Sequence, residues 1–170
     1  MTTMRPSRPD ELQAILAVHR AAFGREDEAG LVRRLQADGD LVFDRLAEDG
    51  GVVVAHVAFS PVRIAEGDDG KVLGLAPVAV LPEWQRGGVG SALIRASLDA
   101  LRAEKQVRAV VVLGEPAYYA RFGFTPASQA GLHDIYGGGD AFMAMALQPG
   151  GLDSYAGQVD YAPAFASLTE

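Results

Sequence analysis

The stretch Gln85-Arg-Gly-Gly-Val-Gly-Ser91 combines residue types and spacing that can do chemistry. It follows an apolar, β-prone run, Val78-Ala-Val-Leu81, and precedes alternating small and large apolar residues that suit a helix. Pro82 between them cannot continue a strand ladder. A helix that begins inside a glycine-rich turn leaves its first backbone N–H groups without partners. Those donors, with the positive end of the helix dipole, make an anion site. Glycine at 87, 88 and 90 lets the anion approach the backbone, where a Cβ would hold it off. The expected ligand is a phosphate, and more specifically a diphosphate. A P-loop would need a Lys after its last glycine, and none stands here. A dinucleotide fingerprint counted from Gly88 and Gly90 would need a small residue where Leu93 stands. The pattern Gln/Arg-x-x-Gly-x-Gly/Ala is met by Gln85, Gly88 and Gly90. The alternative is a plain tight turn before a helix.

The elements around this turn can be read in chain order. Ser7-Arg-Pro-Asp10 matches a capping box, and Leu12, Ile15, Leu16, His19, Ala22 and Phe23 recur at helical spacing up to Gly24. His19 lies on the apolar face, where the favoured reading is a partly buried imidazole with a hydrogen-bond partner and the alternative is a catalytic histidine. Arg25-Glu-Asp-Glu28 opens a second helix through Leu31, Val32 and Leu35, its acids suiting a helix N-terminus. Residues 41–47, 52–64 and 71–81 read as an antiparallel meander, turned at Glu48-Asp-Gly-Gly51 and Gly67-Asp-Asp-Gly70. A helix over 90–105 turns Leu93, Ile94, Leu98 and Leu101 to the core. The β-branched run over 109–113 is a buried strand, parallel to the one before the turn, with a right-handed crossover. Pro116 opens a short helix that Gly123 closes, and Phe124 begins the next strand. Residues 129–140 read as loop, 141–147 as a last strand, and the tail from Gln148 as an irregular extension.

Tyr119-Ala-Arg-Phe-Gly-Phe124 is a second landmark, set beyond the strand that follows the turn. The two motifs, in this order and with strand, helix and strand between them, resemble the GNAT superfamily of N-acetyltransferases. In that family the first is the acyl-CoA pyrophosphate loop and the second is the Tyr-x-x-x-Gly-Phe signature after the fifth strand. The resemblance covers residues 4–147. It implies an α/β (α+β) fold: a mixed, mostly antiparallel sheet of about six to seven strands flanked by about four helices. Residues 1–147 would be the acetyltransferase domain and 148–170 a C-terminal extension packed on it. Backbone N–H groups of Gln85, Arg86, Gly87, Gly88, Val89 and Gly90, helped by Ser91, would hold the CoA pyrophosphate. The strand edge at Val78, Ala79 and Val80 would pair with the pantetheine amides as an added strand, exposed by a bulge. Arg86 or Arg121 would reach the ribose phosphate, or serve as a surface charge.

The implied reaction is acetyl-CoA-dependent acetylation of a primary amine by direct attack. A phenol of pKa about 10 can protonate a thiolate of pKa about 8.5 as the bond breaks, and Tyr119 is the expected acid. Tyr118 faces another way and packs. The Val80 N–H is the expected oxyanion donor. An alkyl ammonium of pKa about 10 must also lose a proton, and Glu28, His56, Glu83 and Glu115 are the candidate acceptors. An α-amino group of pKa about 8 would need little help. Two other readings stay open: an acyl-CoA-binding sensor or interaction module without turnover, and acetylation of a hydroxyl.

Composition bounds the rest. The chain has 170 residues, a one-domain length, and 49% of them are apolar, enough for a full core. No apolar run approaches the roughly 20 residues of a membrane span, and the start lacks a signal-peptide core. Cytoplasmic residence is the expectation. There is no cysteine, hence no thiolate metal site and no cysteine nucleophile. No metal is expected. A net charge of −7 opposes nucleic-acid binding and suits a cationic substrate, whether a small amine or a protein amino group. A homodimer through the last strand or the aromatic tail is the open alternative to a monomer.

Overall fold

The computed structural model describes residues 2–169. In chain order the elements are β1 (Thr2–Arg5), α1 (Leu12–Phe23), α2 (Asp27–Ala37), β2 (Phe43–Asp49), β3 (Val52–Pro61), β4 (Arg63–Glu66), β5 (Val72–Val80), α3 (Val89–Glu104), β6 (Ala109–Leu113), α4 (Pro116–Ala120), β7 (Thr125–Pro126), β8 (Leu132–His133), β9 (Phe142–Ala146) and β10 (Ala156–Asp160). A seven-stranded sheet has the order β1-β2-β3-β5-β6-β9-β7, and a three-stranded sheet the order β4-β10-β8. β1–β2, β2–β3, β6–β9 and β7–β9 pair antiparallel, while β5–β6 pair parallel. The expected mixed, mostly antiparallel sheet with four helices is what forms. The chain divides into two compact units. One holds the chain up to Ser60, Ala76–Ser97 and the segment from Pro163; the other holds Pro61–Leu75 and Leu98–Ala162.

In the first unit, β2 and β3 form a hairpin closed by Gly50 and Gly51, at φ 57° and 82°. Two consecutive left-handed residues give the tight turn whose twist matches the strands, and glycine adopts it without strain. α1 stops at Gly24, which is left-handed at φ 67° and returns its N–H to Arg20 O at 2.8 Å. Ile15, Leu16 and Val18 of α1 pack with Ala29 and Val32 of α2, Leu46 of β2 and Ala79 of β5. Each fully buried aliphatic side chain here contributes about 1.5–3 kcal/mol of transfer free energy. The expected Ser7/Asp10 capping box does not form. Glu11 caps instead, accepting the Arg8 N–H at 2.8 Å, and the Ser7 hydroxyl donates to Asp44 at 2.6 Å. A partner distant in sequence has outcompeted the local one. Arg5 clamps Glu11 and Glu48 together at 2.7 and 3.0 Å.

The second unit departs further from expectation. Residues 52–64 are not one strand: β3 ends at Pro61, and β4 pairs with β10, Ile64 facing Val159. The tail is therefore not irregular, because β10 is the middle strand of the smaller sheet. Its other neighbour, β8, lies within the stretch expected to be loop. Tyr155 ties this arrangement down by donating to Asp69 at 2.6 Å. A Cβ at Gly67 would fall 1.9 Å from Ser154 O, so the turn between β4 and β5 admits only glycine. β9 pairs with β6 along its whole length and, on its other side, with the two residues of β7 at Met143 and Ala144. Among the described residues, no helix is long and apolar enough to cross a membrane.

Candidate active site

The glycine turn is built in the first unit. A 3-10 turn over Pro82–Trp84 ends β5, and Gln85 is extended at φ −68°, ψ 151°. Arg86 and Gly88 are then left-handed, at φ 68° and 87°, and Gly87 between them is not. Alternating hand makes successive N–H groups converge into an anion-binding concavity. Among the described residues, Arg86 is one of two non-glycine residues with positive φ, a conformation costing roughly 1–2 kcal/mol in a residue with a Cβ. Among the described residues, the N–H groups of Arg86, Gly87 and Gly88 donate in none of the loop and turn hydrogen bonds, and Val89 and Gly90 open α3, where the first N–H groups of a helix lack an intrahelical partner. Gln85 differs from the expectation: its N–H is engaged with Pro82 O at 3.3 Å. Its contribution is the side chain, which donates from Nε2 to Val80 O at 2.9 Å and ties the turn to the end of β5.

That strand end has two edges. The Leu81 N–H donates to Val54 O of β3 at 2.9 Å. Backbone groups alternate sides along a strand, so Val80 and Val78 turn their N–H and C=O the opposite way. Ala79, between them, is 2% exposed. The parallel ladder with β6 covers Val72, Leu73 and Gly74, and β5 runs on beyond it to Val80.

Tyr119 belongs to the second unit. It is 8% exposed on α4, a helix opened by Pro116 and followed by left-handed Gly123 at φ 107°. Its ring meets Tyr118, Phe124 and Phe122 at 5.0, 5.8 and 6.2 Å between centroids. Gly114 lies under it: a Cβ there would sit 2.4 Å from Tyr119 Cε2. Burial, then the neighbouring Tyr118, push the Tyr119 phenol up to about 12, so the O–H is present at any ordinary pH. Tyr118 packs as expected, with the Arg121 guanidinium 4.6 Å over its ring.

The candidate bases separate by environment. Glu28 is buried and bound by Arg25 at 2.9 Å, which holds its carboxyl below the usual range. His56 is buried and bonded to Asp44 and His19. Glu83 and Glu115 are exposed. His19 has the hydrogen-bond partner expected of it; that the partner is a second histidine carried no sequence signal. Two cavities, one lined by Ser7, Leu12, Val32 and Asp44 and one by Thr125, Gln129, Gly151 and Tyr155, include none of the expected cofactor residues. The anion turn over residues 85–88 is exposed rather than enclosed. Among the described residues no cluster of three metal-ligating side chains occurs.

The family model for an acetyltransferase (GNAT) domain matches residues 3–127. The uncharacterised N-acetyltransferase YhbS of Escherichia coli (strain K12) is 37% identical over 160 residues, 93% of this chain and 95% of that one. The crystal structure of E. coli YhbS in complex with CoA superposes with a TM-score of 0.91 at 36% identity, covering 97% of this chain and 92% of that chain. A GNAT family acetyltransferase from Brucella melitensis, in complex with acetyl-CoA, gives 0.81 at 35% identity, covering 97% and 98%. The chain belongs to the GNAT superfamily of N-acetyltransferases.

Proposed function

We propose that this enzyme transfers the acetyl group of acetyl-CoA to a primary amine by direct attack. The observation that carries the reading is the row of N–H groups from Arg86 to Gly90, folded into an anion nest, in a chain of this family. The CoA and acetyl-CoA held by the YhbS and Brucella relatives support it. In this reading the N–H groups of residues 86–90, with Ser91, grip the pyrophosphate. The outward edge at Val78 and Val80 pairs with pantetheine, and Gln85 fixes the turn to that edge. The amine nitrogen attacks the thioester carbonyl and a tetrahedral oxyanion forms. The Val80 N–H donates to it. The C–S bond then breaks, and Tyr119 donates its O–H to the departing sulfur. A phenol held near 12 is a weak acid, and what burial secures is a proton that is always in place.

Free-thiol release from acetyl-CoA with a panel of amines tests the reading. Tyr119→Phe should lower kcat about 10²-fold, the usual worth of a positioned acid, with CoA affinity unchanged. Full activity of that variant removes Tyr119 from the mechanism. CoA binding without thiol release from any amine would favour a binding module instead.

A further inference from the structure

Four polar side chains of the first unit, two buried imidazoles and two half-buried groups, form a chain that the steps above do not use. Ser7 Oγ donates to Asp44 Oδ2 at 2.6 Å, and His56 Nε2 lies 2.8 Å from the same oxygen. His56 Nδ1 lies 3.0 Å from His19 Nε2. Both imidazoles are 0% exposed. An ionised carboxylate only accepts, so neutral His56 carries its proton on Nε2. His56 Nδ1 then accepts, and His19 Nε2–H donates to it. This fixes His19 Nδ1 as a bare lone pair, and it has no partner among the described residues. Buried polar atoms are almost always paired, and an orphan costs about 1–3 kcal/mol. Glu28, another buried ionisable group of this unit, is already held by Arg25. The His19 nitrogen is thus a proton acceptor whose donor comes from outside the chain.

We propose that His19, His56 and Asp44 take up the proton that an alkylammonium acceptor must lose before it attacks the thioester. This rests on the amine-acetylation reading above. The transfer balances without any co-reactant. The ammonium N–H, through one water, protonates His19 Nδ1. The His19 Nε2 proton moves to His56 Nδ1. His56 becomes an imidazolium beside the Asp44 carboxylate, and the amine is left neutral. A half-buried charge of −1 becomes a neutral ion pair. After product leaves, the proton returns to solvent by the same steps reversed. Asp44 and His56 are positioning residues, setting tautomer and charge for His19 as an acidic residue does for the histidine of a hydrolytic triad. The location fits. The Leu81 N–H bonds Val54 O, so β3, with His56 two residues on, runs beside the Val78–Val80 segment.

The geometry puts the stored proton on His56, because His56 is the imidazole bonded to the Asp44 carboxylate. Burial, then the His56 charge, push His19 down to about 3, so it passes the proton on. Burial pushes the Asp44 carboxyl up, but the hydrogen bonds from His56 and Ser7 outweigh it, and Asp44 stays ionised. His56 is the charged neighbour that acts on His19, and His56 and Ser7 are the main groups acting on Asp44. Arg8 shares the Asp44 cavity of about 230 Å³ without a bond to the carboxylate.

The test compares two acceptors, an alkyl amine of pKa about 10 and an amine of pKa about 8, in the full-length enzyme with acetyl-CoA. His19→Phe should lower kcat/KM for the stronger base about 10²-fold at pH 7 and leave the weaker base unaffected. Raising the pH toward 10 should restore the loss, with KM for acetyl-CoA unmoved. Asp44→Asn, close in shape, should show the same selectivity and serves if His19→Phe does not fold. In the unaltered protein, ¹⁵N shifts should report His19 protonated on Nε2 and bare on Nδ1. An equal loss for both amines, or the opposite tautomer, overturns the relay alone. No thiol release from any amine overturns the amine reading and the relay with it.

Discussion

Gly114→Ala tests whether the seat of Tyr119 matters as much as the residue itself. The added Cβ would lie 2.4 Å from Cε2, 3.0 Å from Cδ2 and 3.4 Å from Cζ of the ring. Ordinary carbon contacts are about 3.5–4.0 Å, so the ring must withdraw by roughly 1 Å. Gly114 itself cannot easily give way, since its N–H is bonded to Ala141 O at 3.0 Å. A displacement of that size at a reacting group costs about 10²-fold in rate, or about 2.7 kcal/mol of barrier. Overpacking against Tyr118, Phe122 and Phe124 should cost a further 1–3 kcal/mol or so of stability. Thiol release gives kcat, calorimetric titration gives CoA affinity, and urea unfolding gives stability. The expected pattern is a kcat loss approaching that of Tyr119→Phe, unchanged CoA affinity and a lower urea midpoint. In a Tyr119→Phe background, Gly114→Ala should lower kcat no further, because both changes remove one function. Full activity in the single variant, or a kcat loss that multiplies in the double variant, would refute the reasoning.

Gly88→Asp adds a carboxylate to the anion nest at a position with nothing within 4 Å of the new Cβ. CoA affinity should fall at least about 10²-fold, whereas Gly88→Asn, equally left-handed but neutral, should lose much less; equal losses would point to strain rather than charge. Gln85→Leu removes the bond to Val80 O and should raise KM for acetyl-CoA while leaving the fold intact; an unchanged KM in steady-state assays would contradict the tether. The hydrogen bond from Arg5 lowers the Glu11 carboxyl from 4.5 to about 2. A depressed carboxyl stabilises the fold fully above its unfolded value and loses that contribution as pH falls through its folded value. Urea midpoints should therefore drop between pH 4.5 and 2, and Arg5→Met should flatten that limb; an unchanged limb in the variant would show the clamp contributes nothing.

Local chemistry was legible in the sequence and long-range pairing was not. The turn at 85–91, α3 and β6 follow from glycine, proline and β-branched runs within a few residues of one another. Leu93 and Ile94 are buried in the first unit and Leu98 and Leu101 in the second, as their helical spacing predicts. In the sequence β4 reads as a continuation of β3, because an apolar run carries no mark of a strand changing sheets at Pro61. Its partner β10 lies far along the chain, and Gly157-Gln-Val159 has too little alternation to announce a strand. Ser7 reads as a local cap because Asp44 and Asp10 are indistinguishable as partners without a fold. Gln85 was legible as a motif residue, but its side-chain bond to Val80 depends on how tightly the turn folds back. The His19–His56 bond needed α1 and β3 to be packed before either side chain could be assigned.

A crystal structure of this enzyme with CoA bound is the most direct measurement of the account. The pyrophosphate should lie within hydrogen-bond distance of the N–H groups of Arg86 to Gly90, with pantetheine along the Val78–Val80 edge. Pyrophosphate density bound elsewhere on the chain, with that turn left uncontacted, would contradict it.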